Sequence, residues 1–220
     1  MEAARVPDWF TPHPVSHGLW TIRRMAARDA TDRPEPVGWP HYTLLTRGDS
    51  RTMHLEHGTV VMEDSQSELR QHLPMMMAAH GRVLVTGLGL GCVVRGLLAN
   101  PRVLSVDVVE RDPWIANTIW PATICPAPPP RGWTFEYGGR ATLYVADAFE
   151  FVRNSFGKWD YAWHDLHSDP EEPVLGLQHA ELINLLRERV RYQGAWGWER
   201  KLRKRLRRII PRRHALGLCP

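Results

Sequence analysis

From residue 82 onward, short unbroken apolar runs alternate with stretches whose apolar positions recur every three to four residues. The runs are RVLVT (82–86), VLSVDVVE (103–110), ATLYVAD (141–147), WDYAWHDL (159–166) and QGAWGWE (193–199). An unbroken apolar run fits a strand covered on both faces, since a half-wet strand would alternate. Between the runs lie CVVRGLLAN, PWIANTIW, AFEFVRNSF and an amphipathic 173–191, which read as helices. Pro113 suits the first helical position of the second of these, where its missing N–H costs nothing. Strands alternating with helices predict a parallel, doubly wound α/β sheet. A Pro-rich stretch, 121–139, reads as one long loop.

The first 63 residues have a different texture. Pro7, Pro12, Pro14, Pro34, Pro36 and Pro40 punctuate the opening forty, which predicts loops and one short helix near Leu19–Arg28. HYTLLTR, RTMHLEH and TVVME then form β-prone runs separated by Gly48-Asp49 and Gly58, a small antiparallel meander. Ser65 with Glu68 makes a capping box for a helix that runs to about His80 and stops at Gly81, with Pro74 kinking or resetting it. The division expected is an N-terminal extension and meander over 1–63, and a nucleotide-binding-type domain over 64–220.

Composition narrows the class. At 220 residues, 43% hydrophobic and 24% charged, the chain is globular and large enough to bury a core without staples. Its three cysteines, Cys92, Cys125 and Cys219, form no CxxC pair, which argues against a disulfide framework or zinc ribbon and for a reducing, cytoplasmic setting. Neither a signal peptide nor an apolar span of membrane length is visible, so no membrane partner is expected. The net charge of +4 hides an asymmetry. Residues 200–220 hold nine Lys/Arg and no acid, which leaves 19 basic against 24 acidic residues in 1–199. The basic segment reads as a final helix (200–214), with Leu202, Leu206, Ile209 and Ile210 on one face. Packing of that face on the sheet is its simplest role, and a weak, salt-dependent nucleic-acid contact through 200–213 is the other.

The chemistry gathers at the strand ends. GLGLG follows the first buried strand, and Gly87, Gly89 and Gly91 allow a tight turn and close approach of backbone to a ligand. Glu110 ends the second strand, Asp147 the third and Asp165 the fourth. Open α/β sheets bind ligands outside these carboxyl ends, and a carboxylate there can accept both hydroxyls of a ribose. Within HDLH, side-chain alternation along the strand turns His164 away from Asp165. The cluster reads as a polar network, and no metal is expected.

This set of motifs resembles the class I S-adenosylmethionine-dependent methyltransferases, in their spermidine-synthase-like branch, over about residues 60–199. VLVTGLGLG is similar to the family's glycine motif, VVERDP to its acidic second-strand motif, VADAFEFV to its adenine-contacting motif and WDYAWHDL to its fourth-strand motif. SELRQHLP, through Glu68, His72 and Pro74, resembles the helix that leads into a spermidine synthase. The resemblance implies a Rossmann-like, mostly parallel sheet, C-terminally truncated because this chain stops soon after its fifth strand. It implies S-adenosyl-L-methionine as cofactor, held by Gly87, Leu88, Gly89, Gly91, Glu110, Arg111, Asp147, Ala148 and Phe149. It makes Asp165 the candidate base, with His164 and His167 as substitutes.

Departures from the branch bear on the reaction. The acidic position between the last two glycines is Leu90, the Tyr-His pair of the lead-in helix is Gln66-Ser67, and the fourth-strand signature reads DLHSDP with Asp169 displaced by one residue. A diamine acceptor needs a carboxylate at each ammonium, because a desolvated unpaired charge costs several kcal/mol. Methyl transfer to a small-molecule acceptor asks for less. An aminopropyltransferase and a non-catalytic protein acting through its basic tail are the alternatives. Truncation after the fifth strand leaves an edge for the tail helix or a homodimer partner to cover.

Overall fold

A computed structural model of the chain describes residues 15–17, 20–26, 41–48, 59–64, 66–124, 134–137, 139–166 and 174–196. The expectations for the basic tail, His167, Asp169, Ser65, the RTMHLEH run and most of the Pro-rich stretch lie outside these residues.

Two sheets make up the described structure. The first is antiparallel, in the order β1 (Val15–His17), β2 (Trp20–Ala26), β3 (His41–Arg47) and β4 (Thr59–Glu63). The segment expected as a helix near Leu19–Arg28 is therefore the strand β2. It pairs along its whole length with β3, from Trp20 opposite Arg47 to Ala26 opposite His41. Its alternation puts Ile22 opposite Leu45, both fully buried, so cross-strand burial overrides whatever helical propensity TIRRMAA has.

The second sheet has six strands. They are β5 (Gly81–Thr86), β6 (Val103–Glu110), β7 (Thr134–Tyr137), β8 (Ala141–Val145), β9 (Trp159–His164) and β10 (Val190–Ala195), in the order β10-β9-β5-β6-β8-β7. Five run parallel, and β7 is antiparallel to β8 at one edge. This is the Rossmann-like, doubly wound order, with its switch point between β5 and β9. Two boundaries differ from the pattern in the sequence. β7 lies within the stretch expected to be loop, and β10 begins at Val190 because a turn over 187–189 ends the preceding helix early.

Helices cover both faces, which is why the strands read as unbroken apolar runs. α1 (Gln66–Ala78), α2 (Cys92–Leu98) and α3 (Pro113–Ile119) lie on one side, and α4 (Ala148–Asn154) and α5 (Val174–Leu186) on the other. Along β5, Val83 and Val85 pack toward the first group and Leu84 toward the second. Each such fully buried aliphatic side chain contributes about 1.5–3 kcal/mol. The first core also takes in Ile22, Leu45 and Met62, so the antiparallel sheet packs onto the α1–α3 side. Pro74 sits inside α1 without ending it, and Pro113 opens α3 behind the Asp112 cap. After α3 the chain widens into a π-helical turn, Trp120–Ile124. No helix among the described residues is long and apolar enough to cross a membrane.

Candidate functional site

The carboxyl ends of β5, β6, β8 and β9 open on one cavity of about 790 Å³. Gly87, Gly89, Glu110, Arg111, Asp147, Ala148, Phe149 and Asp165 all line it. Leu88, Gly91 and His164 do not reach its surface, and His167 lies outside the described residues.

The glycine elbow is set by its neighbours as much as by its own turn. Gly87 has φ +94°, and a Cβ there would run into the main-chain carbonyl of Asp165. Gly89 has φ +52°, and a Cβ there would meet the Met62 sulfur. The elbow thus touches the end of β9 on one side and the antiparallel sheet on the other. Met62 Sδ also accepts the Leu90 N–H at 3.1 Å. Leu90 itself is fully buried in the core and presents no polar group to the cavity.

Glu110 is nearly enclosed at the tip of β6. Its Oε2 accepts the Leu88 N–H at 2.9 Å and its Oε1 accepts the Asp112 N–H at 2.8 Å. Burial raises its pKa above the ordinary carboxylate value, and the two backbone donors oppose that rise. A carboxylate offers about four lone-pair directions, so two acceptor directions remain for a ligand. Asp147 caps α4, with Oδ1 accepting from Phe149 N at 2.9 Å and Glu150 N at 3.2 Å. Asp112 caps α3 through Trp114 N and Ile115 N in the same way. Asp147 and Asp112 are therefore helix starts as well as cavity walls.

At the other end, Asp165 follows β9, fixed by its N–H to the Thr86 carbonyl at 2.8 Å. Its carboxylate is partly exposed to the cavity, and burial raises its pKa against the opposing effect of His72. His72, on α1, is fully buried with Nε2 3.9 Å from Asp165 Oδ2. His164 faces the opposite side of the strand. Gln193 Nε2 donates to the Ile183 carbonyl at 3.0 Å, so its Oε1 turns to His164 Nε2 at 3.3 Å. His164 Nε2 therefore carries the proton, and Nδ1 accepts from Thr86 Oγ1 at 3.0 Å. Burial lowers the His164 pKa to about 4. A buried imidazole committed to two partners away from the cavity does not serve there as a base.

Several lining residues carry no local signal in the sequence. Leu45, Arg47, Val61 and Met62 come from the antiparallel sheet and Gln178 from α5, while Glu68, singled out by its motif, comes from α1. The β3–β4 alternation marks which side chains are apolar but not what they will face.

No model of a known protein family matches the chain, and no curated protein matches it. Solved structures do. Spermidine synthase from Thermotoga maritima is 16% identical over 81% of this chain and 53% of its own, with a TM-score of 0.45. A spermidine synthase in complex with the transition state analogue AdoDATO is 16% identical over 81% and 54%, at 0.48. Human methyltransferase-like protein 13, in complex with SAH, is 16% identical over 56% and 59%, at 0.37. This chain spans about half the length of the spermidine synthases it matches. The fold assignment rests on the strand order itself.

Proposed function

We propose that the chain is an S-adenosylmethionine-dependent methyltransferase acting on a small-molecule acceptor. The observation that carries this is the convergence of Glu110, Asp147 and Asp165, from three separate strand ends, on one cavity beside Gly87 and Gly89. The donor and acceptor set fits such a cofactor. Gly89 lines the cavity with no Cβ, Glu110 keeps acceptor directions for a ribose diol, and the volume is in the range of small-molecule sites. Phe149 supplies a ring, and Asp147 an acceptor, beside the place an adenine would take.

When bound, the cofactor supplies an electrophilic methyl group on a sulfonium. The chain's own residues bind and orient. Glu110 fixes the ribose, with its carboxylate already aligned by two backbone N–H groups, so little ordering is left to binding. Asp165, at the opposite end, takes a proton from the acceptor's nucleophile, and its raised pKa favours that uptake. Leu45, Val61 and Met62 add apolar surface to the lining, which suits a small acceptor. Leu90 contributes no carboxylate, which favours methyl transfer over aminopropyl transfer to a diamine.

Calorimetry with S-adenosylmethionine and S-adenosylhomocysteine tests the proposal. Micromolar binding of both, weakened about 100-fold in Glu110→Ala, is expected. No heat with either ligand would sink it.

A further inference from the structure

We propose that His72 and Asp165 share one exchangeable proton, and that this pair, rather than Asp165 alone, receives the proton of an acceptor whose nucleophile is an amine or a hydroxyl. The inference rests on the methyltransferase reading for its chemistry, but its geometry stands apart from it.

His72 is an expensive residue to bury. Its side chain is fully enclosed, and neither ring nitrogen has a hydrogen-bond partner among the described residues. Orphaning a buried polar atom forfeits its hydration with nothing in return, so an orphan imidazole needs an explanation. The ring stands edge-on to Trp163, centroids 5.9 Å apart and planes at 78°, which fixes its orientation. Nε2 lies 3.9 Å from Asp165 Oδ2, just beyond a hydrogen bond, and Asp165 is the group that faces the cavity. A movement of under ~1 Å would close the pair to hydrogen-bond distance.

The charge balance favours uptake of one proton. With His72 neutral and Asp165 ionised, the pair carries one negative charge in a poorly solvated place. One added proton makes the pair neutral overall, whichever atom holds it. Burial correspondingly holds His72 below its ordinary pKa and Asp165 above its own, each opposing the shift of the other. Among the described residues, the charged group acting on His72 is Asp165, and His72 is the one acting on Asp165. Around the buried Cys92 nearby stand Asp64, before α1, Glu68, in its first turn, and Arg95 on α2. All three act on the buried Cys92 thiol, as Asp165 does. In the transfer itself, the acceptor's N–H or O–H bond breaks and its proton passes to the pair. The acceptor's lone pair forms the bond to the methyl carbon, and the sulfur keeps the electrons of the bond it loses. His72 is thus a positioning and proton-storing residue, and Asp165 the one that touches the acceptor.

The test is a titration of the histidine side chains of the full chain by proton–nitrogen NMR, with the His72 signal assigned by its loss in His72→Gln. In Asp165→Asn, the His72 midpoint is expected to fall by about one pH unit, a tenfold loss of proton affinity. Asp165→Ala, as a second variant, should give the same direction. Superimposable His72 titrations in the wild type and in both variants, each folded by circular dichroism, would overturn the proposal. The titration needs no cofactor, so an uncoupled pair in a chain that binds S-adenosylhomocysteine rejects this inference alone. A coupled pair in a chain that binds neither cofactor form rejects the methyltransferase reading instead.

Discussion

The two ends of the cavity are built in opposite ways. At Glu110 the carboxylate is held by the backbone immediately around it, by Asp112 N two residues on and by Leu88 N in the adjoining glycine elbow. At Asp165 the ionisable side chain beside it among the described residues, His72, comes from a helix 93 residues earlier in the chain and lies just outside bonding distance. The first arrangement fixes the carboxylate in place and resists change. The second leaves a carboxylate free to gain or lose a proton. A site that must hold one part of a ligand still while chemistry happens at another has use for both.

Gly87 joins the two ends, and changing it should have the largest effect. Gly87→Ala places a Cβ against the Asp165 carbonyl at a φ that disfavours any side chain. A loss of upward of about 3 kcal/mol in urea unfolding is expected. Gly89→Ala meets only the flexible Met62 side chain and should cost about 1–2 kcal/mol. Equal costs would show that the elbow is not braced by β9.

His164 ends the strand that carries Asp165 and does not line the cavity. Its folded pKa lies near 4, below the ordinary 6.5, so the unfolded chain binds the proton more readily. The stability this provides is complete above pH 6.5 and is lost as pH falls to 4. The loss amounts to about 3 kcal/mol. His164→Gln should flatten that part of the pH–stability curve without altering cofactor affinity. A curve unchanged by the substitution would place the acid sensitivity in the cavity instead.

Glu110→Ala removes two backbone partners at once. Cofactor affinity should fall about 100-fold, and stability by about 1–3 kcal/mol, as Leu88 N and Asp112 N lose their acceptor. Asp165→Asn should do the reverse. A raised carboxylate pKa stabilises the fold below the unfolded value, and this is lost as pH rises through the folded one. At neutral pH the ionised Asp165 is therefore a burden. Asn should raise the melting temperature by a few degrees and leave cofactor affinity within about threefold. A fall in melting temperature would mean that Asp165 is structural.

The same contrast explains what was legible in the sequence. The binding end is spelled out locally: glycines after a buried run, a carboxylate at the next strand's end, and Asp147 before a helical stretch. Each is a residue type fixed by its own neighbours. The wall opposite is not. Nothing near Met62 signals that its sulfur will rest on Gly89, because that contact depends on how two sheets pack. β2 was hidden for a related reason, since TIRRM reads as strand only once HYTLLTR lies beside it. β7 did leave a trace. The Gly138-Gly139 pair between TFEY and ATLYV is a hairpin signal, and Gly139 has φ +68°. The density of prolines before it masked the signal. His72 resembled a lead-in helix residue, but no pattern tied it to Asp165.

The most direct test is a crystal structure of the full chain grown with S-adenosylhomocysteine. The ribose hydroxyls should lie on Glu110, the adenine beside Asp147 and Phe149, and the thioether sulfur toward Asp165. Ligand bound elsewhere, or a cavity that stays empty at millimolar ligand, would contradict the account.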